Sequence, residues 1–296
     1  MKRARKWMNK AVNAIFGLAA LLVLYVLAQI LLFATFKIPS DSMEPTLIEG
    51  DVISVCKPAL GARIFNIWTA LKGEEVDVYR LSGFSKVRRD DILVFNFPYS
   101  EWNQWDENMK MNISNYYVKR CVAVPGDTFE IRNAHYKVYG YKGTLGCVDS
   151  QDKLLQILSI GEERNWSIVM KGFPRDSLVN WTIKDFGPLY IPEKGGRIWM
   201  TPVNGVLYRN AIEWEQKKKL VQRGDIFLLN DSIIQEYQFK EDYYFVAGDK
   251  VMNSKDSRYW GLLPKKFIVG KATLIWKSVD LDTDEIRWNR VFKRIE

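Results

Sequence analysis

The chain has 296 residues, of which 47% are hydrophobic, 14% aromatic and 26% charged, a composition that excludes disorder as the main state and suits one large domain or two modest ones. A single histidine, His135, excludes multi-histidine zinc or iron sites, and the dispersed Cys56, Cys121 and Cys147 form no CxxC pair. Of the net charge of +8, five positive charges belong to Lys2, Arg3, Arg5, Lys6 and Lys10, so the basicity is mostly an N-terminal tag and no nucleic-acid partner is expected.

Residues 1–10 read as a basic cytoplasmic segment. From Ala11 to Phe36 there are 26 consecutive residues without a charge, which as a helix exceed the roughly 30 Å thickness of a bilayer core. The run is longer than a secretory signal's apolar region and ends FATFKIP without a small-x-small cleavage site, so it predicts a retained transmembrane anchor over 11–36. Basic residues crowd before the span and only Lys37 immediately follows it, which predicts a cytoplasmic N-terminus and an extracytoplasmic remainder.

Beyond the anchor, short alternating or apolar runs such as DVISVC, DILVFNF, YYVKRCVAV, DYYFVAG and FIVGKATLIW read as strands, and LLNDSII as a tight hairpin. Residues 58–72 and 208–220 read as helices. Residues 137–240 lack the dense motifs on either side, so they read as an inserted β-rich domain between the two parts of a catalytic core, 37–136 and 241–280. The expected fold class is mainly β: an antiparallel β-sheet catalytic core with an inserted second β-rich domain, preceded by one transmembrane α-helix. Cys56 and Cys121 are expected to pack as small apolar residues, and Cys147 to be free. The tail 281–296, with Trp288 and Phe292 among Arg287, Arg290, Lys293 and Arg294, is either a solvated end or a contact with anionic lipid.

Three polar blocks stand out. PSDSMEPTL, residues 39–47, read alone is a turn with side-chain to backbone hydrogen bonds. YYVKRCVAVPGD, residues 116–127, places Lys119 in an apolar strand. If it points inward, desolvation lowers its pKa toward the range of a general base, which could activate a serine without histidine. AGDKVMNSKDSRYWG, residues 247–261, reads as a polar hairpin loop or as support for that lysine.

These blocks, with the anchor and RRDDILVFNFP at 88–98, occur in the order found in bacterial type I signal peptidase, and the chain resembles that family of membrane-bound serine proteases with a Ser-Lys dyad. The resemblance implies Ser42 as nucleophile, Lys119 as general base, and an oxyanion hole from the Ser42 N–H and the Ser40 hydroxyl. It also implies that Ser254 hydrogen-bonds the Lys119 amine and that Asp256 and Arg258 form a bracing ion pair. Phe36, Ile38, Met43, Leu47, Tyr117 and Val118 would line shallow apolar subsites for small side chains, giving cleavage of secretory preproteins after Ala-x-Ala.

The same resemblance implies no cofactor and no metal, and a single-pass protein of the bacterial inner membrane in contact with lipid. Two departures stand in the motifs: Asp41 replaces the commoner glycine between the serines, and Lys250 replaces the asparagine of Gly-Asp-Asn. Lys119 is preferred over Lys250 as base because its strand is apolar. A catalytically silent relative is the rival reading; a soluble self-cleaving repressor would need a DNA-binding domain where the span lies.

Overall fold

The computed structural model describes residues 2–72, 74, 76–100, 108–162 and 167–295; Met1 and Glu296, at the two ends of the expected segments, lie outside the described residues. The N-terminal helix spans Lys2–Leu31, about 45 Å at the usual rise, and its stretch Arg5–Leu31 is long and apolar enough to cross a membrane. The helix stops five residues short of the expected end of the anchor. Phe33–Lys37 is instead a β-strand, paired antiparallel with Asp51–Cys56 in the register Phe33↔Cys56 to Lys37↔Val52. The aromatic and β-branched residues of FATF suit a half-buried strand, and pairing satisfies their backbone where helix propensity is weak. Lys57 closes the helix, donating from Nζ to the carbonyls of Gln29 (2.7 Å) and Ile30 (3.1 Å), as a cation does at a helix C-terminus.

Among the described residues the main sheet has eight strands, and every pairing in it is antiparallel. In spatial order its path runs Phe33–Lys37, Asp51–Cys56, Ile268–Ser278, Ile92–Phe97, Asn112–Ala123, Tyr243–Ala247 and Leu263–Pro264, with Lys293–Arg294 added beside Ile268–Ser278. Alternation along Ile92–Phe97 divides the core in two. Ile92 and Val94 join Ile38, Met43, Leu47, Ile53 and Val55 in a smaller cluster, while Leu93, Phe95 and Phe97 face a larger one. The mainly β, antiparallel fold class follows directly from this sheet.

Residues 137–240 are rich in short strands, as expected, and also carry two helices among the described residues. They hold the helices Val148–Ser159 and Pro202–Gln216, the latter starting six residues before the expected 208 and ending before 220. The expected hairpin forms between Ile226–Leu229 and Ser232–Ile234, with Asn230 and Asp231 both at positive φ, as a two-residue turn requires. The strand His135–Val138 crosses the expected boundary at 136, and its sheet is centred on Thr128–Arg132. Phe129 in that sheet contacts Phe245 of the main sheet at 4.5 Å between ring centroids, so both parts share the larger core. The expected helix over 58–72 is two short pieces, Lys57–Leu60 and Ile67–Leu71, separated at Gly61 with φ of 86°.

Cys121 is buried, Cys56 and Cys147 are half-buried, and all three are free thiols. The tail is docked: Arg290 makes two bonds to the Asp51 carboxylate (2.6 and 3.0 Å) and Arg287 one to the Glu49 carbonyl (2.9 Å). Trp288 and Phe292 remain exposed beside Trp276, whose ring meets Phe292 at 5.1 Å.

Candidate active site

The turn 39–47 leaves the first strand with Ile38, Met43 and Leu47 inserted into the smaller core at 3%, 1% and 0% exposure. These three pegs fix the backbone between them. Bonds from Ile38 N–H to the Asp51 carbonyl (2.7 Å) and from Leu47 N–H to the Met43 carbonyl (2.9 Å) complete the frame. Ser42, between two pegs, is left half-buried with its hydroxyl directed at the neighbouring strand.

That strand, Asn112–Ala123, brings Lys119 in register with Leu93 on one side, while Arg120 stands opposite Ala247 on the other. Lys119 is 4% exposed, and its Nζ lies 2.7 Å from Ser42 Oγ and 3.0 Å from the Val118 carbonyl. Burial pulls its amine down to about 8, against the opposing pull of the Asp256 and Asp249 carboxylates. A lysine so placed is neutral in about a tenth of the molecules at pH 7 and can then accept a proton from the hydroxyl it touches. Ser40 Oγ lies 3.4 Å from Ser42 Oγ, and among the described residues the Ser42 N–H has no acceptor.

The loop after Tyr243–Ala247 wraps this pair. Asp249, 1% exposed, takes two bonds from Arg120 (2.7 and 2.8 Å) and one from Thr46 Oγ1. Asp256 and Arg258, both fully buried, form a second bidentate pair at 2.8 Å. Burial pushes the Asp256 carboxyl up, but the Arg258 charge outweighs it and holds the group below its ordinary range. Asp256 also accepts from the Gly248 N–H at 2.9 Å, and Arg258 donates to the Val251 carbonyl at 2.9 Å.

Lys250, the other amine near the serine, is engaged elsewhere: its Nζ bonds the Asp41 carboxylate and Glu44 (2.9 Å), and these bonds raise its pKa. It is the wrong protonation state for a base, whereas Lys119 is desolvated and in contact with Ser42.

Two expectations are corrected. Ser254 does not hydrogen-bond Lys119: its buried hydroxyl is turned to the Asp256 carboxylate, packed where a side chain on Gly248 would otherwise stand. Leu47 does not line a substrate pocket, because it is a peg of the core with no exposed surface. Phe36, Ile38, Met43, Tyr117 and Val118 do line a groove of about 470 Å³ that also contains Ser40, Ser42 and Lys119. A larger groove of about 770 Å³, lined by residues such as Leu60, Val78, Lys86 and Tyr244, holds none of the polar site residues. Among the described residues no three His, Cys, Asp or Glu side chains converge as a metal site. The sequence reading assigns no role to Thr46 or Glu44; the charged residues in the same two blocks were the available signal, since buried charges need partners.

Comparison with known proteins gives one consistent likeness. The family model described as "Signal peptidase, peptidase S26" matches residues 8–277. The signal peptidase I of Haemophilus influenzae is 29% identical over 311 residues, covering 97% of this chain and 77% of its own length. That of Aquifex aeolicus is 30% identical over 263 residues, covering 88% and 80%. Among solved structures, a signal peptidase I from Enterococcus faecalis aligns with TM-score 0.30 and 19% identity over 64% of this chain and 98% of its own.

Proposed function

The chain belongs to the signal peptidase, peptidase S26 family, and from that premise we propose that it removes signal peptides from secretory preproteins after Ala-x-Ala, with Ser42 as nucleophile and Lys119 as general base. The observation that carries this reading is the 2.7 Å contact between the buried Lys119 amine and Ser42 Oγ.

In this mechanism neutral Lys119 takes the hydroxyl proton as Ser42 Oγ bonds to the scissile carbonyl carbon. The resulting oxyanion is held by the Ser42 N–H and the Ser40 hydroxyl, the latter closing by a small rotation from its resting 3.4 Å separation from Ser42 Oγ. The Lys119 ammonium returns the proton to the departing amine, and the C–N bond breaks to leave an ester on Ser42. Lys119, neutral again, deprotonates a water that hydrolyses the ester and regenerates the hydroxyl. The bidentate pairs Arg120–Asp249 and Arg258–Asp256 keep the surrounding loop rigid, so the amine stays in place between the two half-reactions.

The groove is lined by residues of the strands Phe33–Lys37 and Asn112–Ala123, with Ile38 and Met43 adding apolar surface, and an apolar groove beside two strands favours an extended peptide with small side chains. A helix that ends at Leu31, shortly before the groove residues in the chain, supports a position for the groove near the membrane surface, where a signal peptide's apolar stretch would end. We read the segment before the helix as cytoplasmic and the remainder as extracytoplasmic, in a bacterial inner membrane. Exposed Trp276, Trp288 and Phe292, with Lys293 and Arg294, supply a lipid contact.

The experiment is cleavage of a preprotein bearing Ala-x-Ala by the purified full chain in detergent, against the same preprotein with tryptophan at the residue before the cut. The reading requires cleavage of the first at the Ala-x-Ala site and at least a hundredfold slower cleavage of the second. Equal rates overturn the specificity, and no cleavage of several such preproteins overturns the activity.

A further inference from the structure

Among the described residues that act most strongly on the Lys119 amine are three carboxylates, Asp256, Asp249 and Asp41. An unmatched carboxylate there would stabilise the ammonium and remove the base at neutral pH. Two of the three are matched by guanidinium groups that stay charged throughout the working pH range, Asp249 by Arg120 and Asp256 by Arg258, and both pairs are buried. Arg258 also opposes the ammonium form of Lys119.

Asp41 is different. It lies immediately before the nucleophile, its side chain is 30% exposed, and its match is Lys250, 31% exposed. The loop carrying Lys250 grips the nucleophile turn at several points. The Lys250 N–H donates to the Ser42 carbonyl at 3.1 Å, and Asn253 Nδ2 reaches both Asp41 oxygens at 3.0 and 3.2 Å. The Lys250 ammonium bonds Asp41 and Glu44 together.

We propose that Lys250 is a positioning residue for the Ser42–Lys119 pair: its ammonium neutralises Asp41 and locks the nucleophile turn to the loop, so that the carboxylate beside Ser42 does not hold Lys119 in its charged form. The proposal rests on the dyad reading above. It explains two sequence features together, a carboxylate between the two serines and a lysine after Gly248-Asp249, as the two halves of one contact.

The contact also differs from the buried pairs in its response to salt. Arg120–Asp249 and Arg258–Asp256 are shielded from ions, whereas the half-exposed Lys250–Asp41 pair is screened. The ionisation of Lys119 therefore depends on ionic strength through Asp41 and Lys250.

The test uses the full chain in detergent micelles with an uncharged peptide substrate, and reads the pH at the midpoint of the acid limb of kcat/KM. Lys250→Met leaves Asp41 and Glu44 unmatched and moves the limb to higher pH by roughly 0.3–1 unit. Asp41→Asn leaves Lys250 unmatched and moves it to lower pH. The double variant returns close to the wild-type midpoint, Lys250→Arg stays there, and about 1 M salt shrinks both single-variant shifts.

A role confined to loop stability lowers the rate without moving the midpoint, so an unmoved limb in Lys250→Met overturns the proposal. Where Lys250→Met fails to fold, Asp41→Asn decides, and an unmoved or raised midpoint overturns it. Lys119→Met, run alongside, separates the two readings. Wild-type turnover in that variant removes the dyad itself, whereas an inactive Lys119→Met with an unmoved Lys250→Met limb removes only this proposal.

Discussion

Lys119 stands directly across the sheet from Leu93, a residue with no exposed surface that belongs to the larger core. The amine that reaches Ser42 therefore starts from an apolar strand pair, and its depressed pKa is a property of core packing as much as of the site. Leu93→Ala removes part of that packing. It is expected to cost about 2–5 kcal/mol of stability and to admit water beside the lysine stem, moving the acid limb of activity to higher pH. Thermal unfolding and a pH–rate profile on the same sample check both effects.

The Arg120–Asp249 pair is structural. Arg120→Leu leaves a carboxylate with 1% exposure unmatched beside Thr46, with an expected loss of about 3 kcal/mol, seen as a fall in Tm of roughly 6 °C or more. An unchanged Tm would mean that Asp249 finds another partner.

At Gly248 the constraint is space. A Cβ there would lie 2.2 Å from Ser254 Oγ and 2.5 Å from the Ser42 carbonyl oxygen, and the second of these is backbone. Gly248→Ala must therefore push the nucleophile turn away from the loop. Its kcat is expected to fall by about a hundredfold, with a much smaller change in KM, because a displacement near 1 Å at the reacting atoms is enough. Steady-state kinetics on a peptide substrate decide it.

Much of this arrangement is legible in the sequence, for identifiable reasons. The apolar helix, the alternating strands and the Asn230–Asp231 hairpin are written in local pattern, and the family motifs point to Ser42 and Lys119. What escaped is set by tertiary contact. The run from Phe33 to Phe36 is uncharged like the end of the helix before it, and its pairing with Asp51–Cys56 is what makes it a strand. The helix Val148–Ser159 buries Gln151 as well as Leu154 and Ile157, so its inner face does not read as apolar. Gln151 is accepted there because it bonds the Tyr136 N–H and the Leu145 carbonyl. Leu47 and Ser254 lie in the right blocks, but whether a side chain enters the core or reaches the amine depends on a few ångströms that no motif encodes.

The tail gives a prediction about membranes. Arg287 and Arg290 are tied to the body, which leaves Trp288 and Phe292 presented outward on a fixed support. Trp288→Ser with Phe292→Ser should keep the Tm within about 2 °C, as expected for exposed positions, while reducing flotation of residues 33–296, which keep the strand Phe33–Lys37, with anionic liposomes. Undiminished flotation would place the lipid contact elsewhere.

The most direct test of the dyad is turnover of one preprotein between pH 5 and pH 10 by the wild type, Ser42→Ala and Lys119→Met. The account predicts that wild-type kcat/KM rises about tenfold per pH unit and levels off above about 8, the value to which burial brings the Lys119 amine, while on that plateau both variants fall at least a thousandfold. A wild-type profile flat across this range, or a Lys119→Met variant retaining a tenth of the activity, would contradict it.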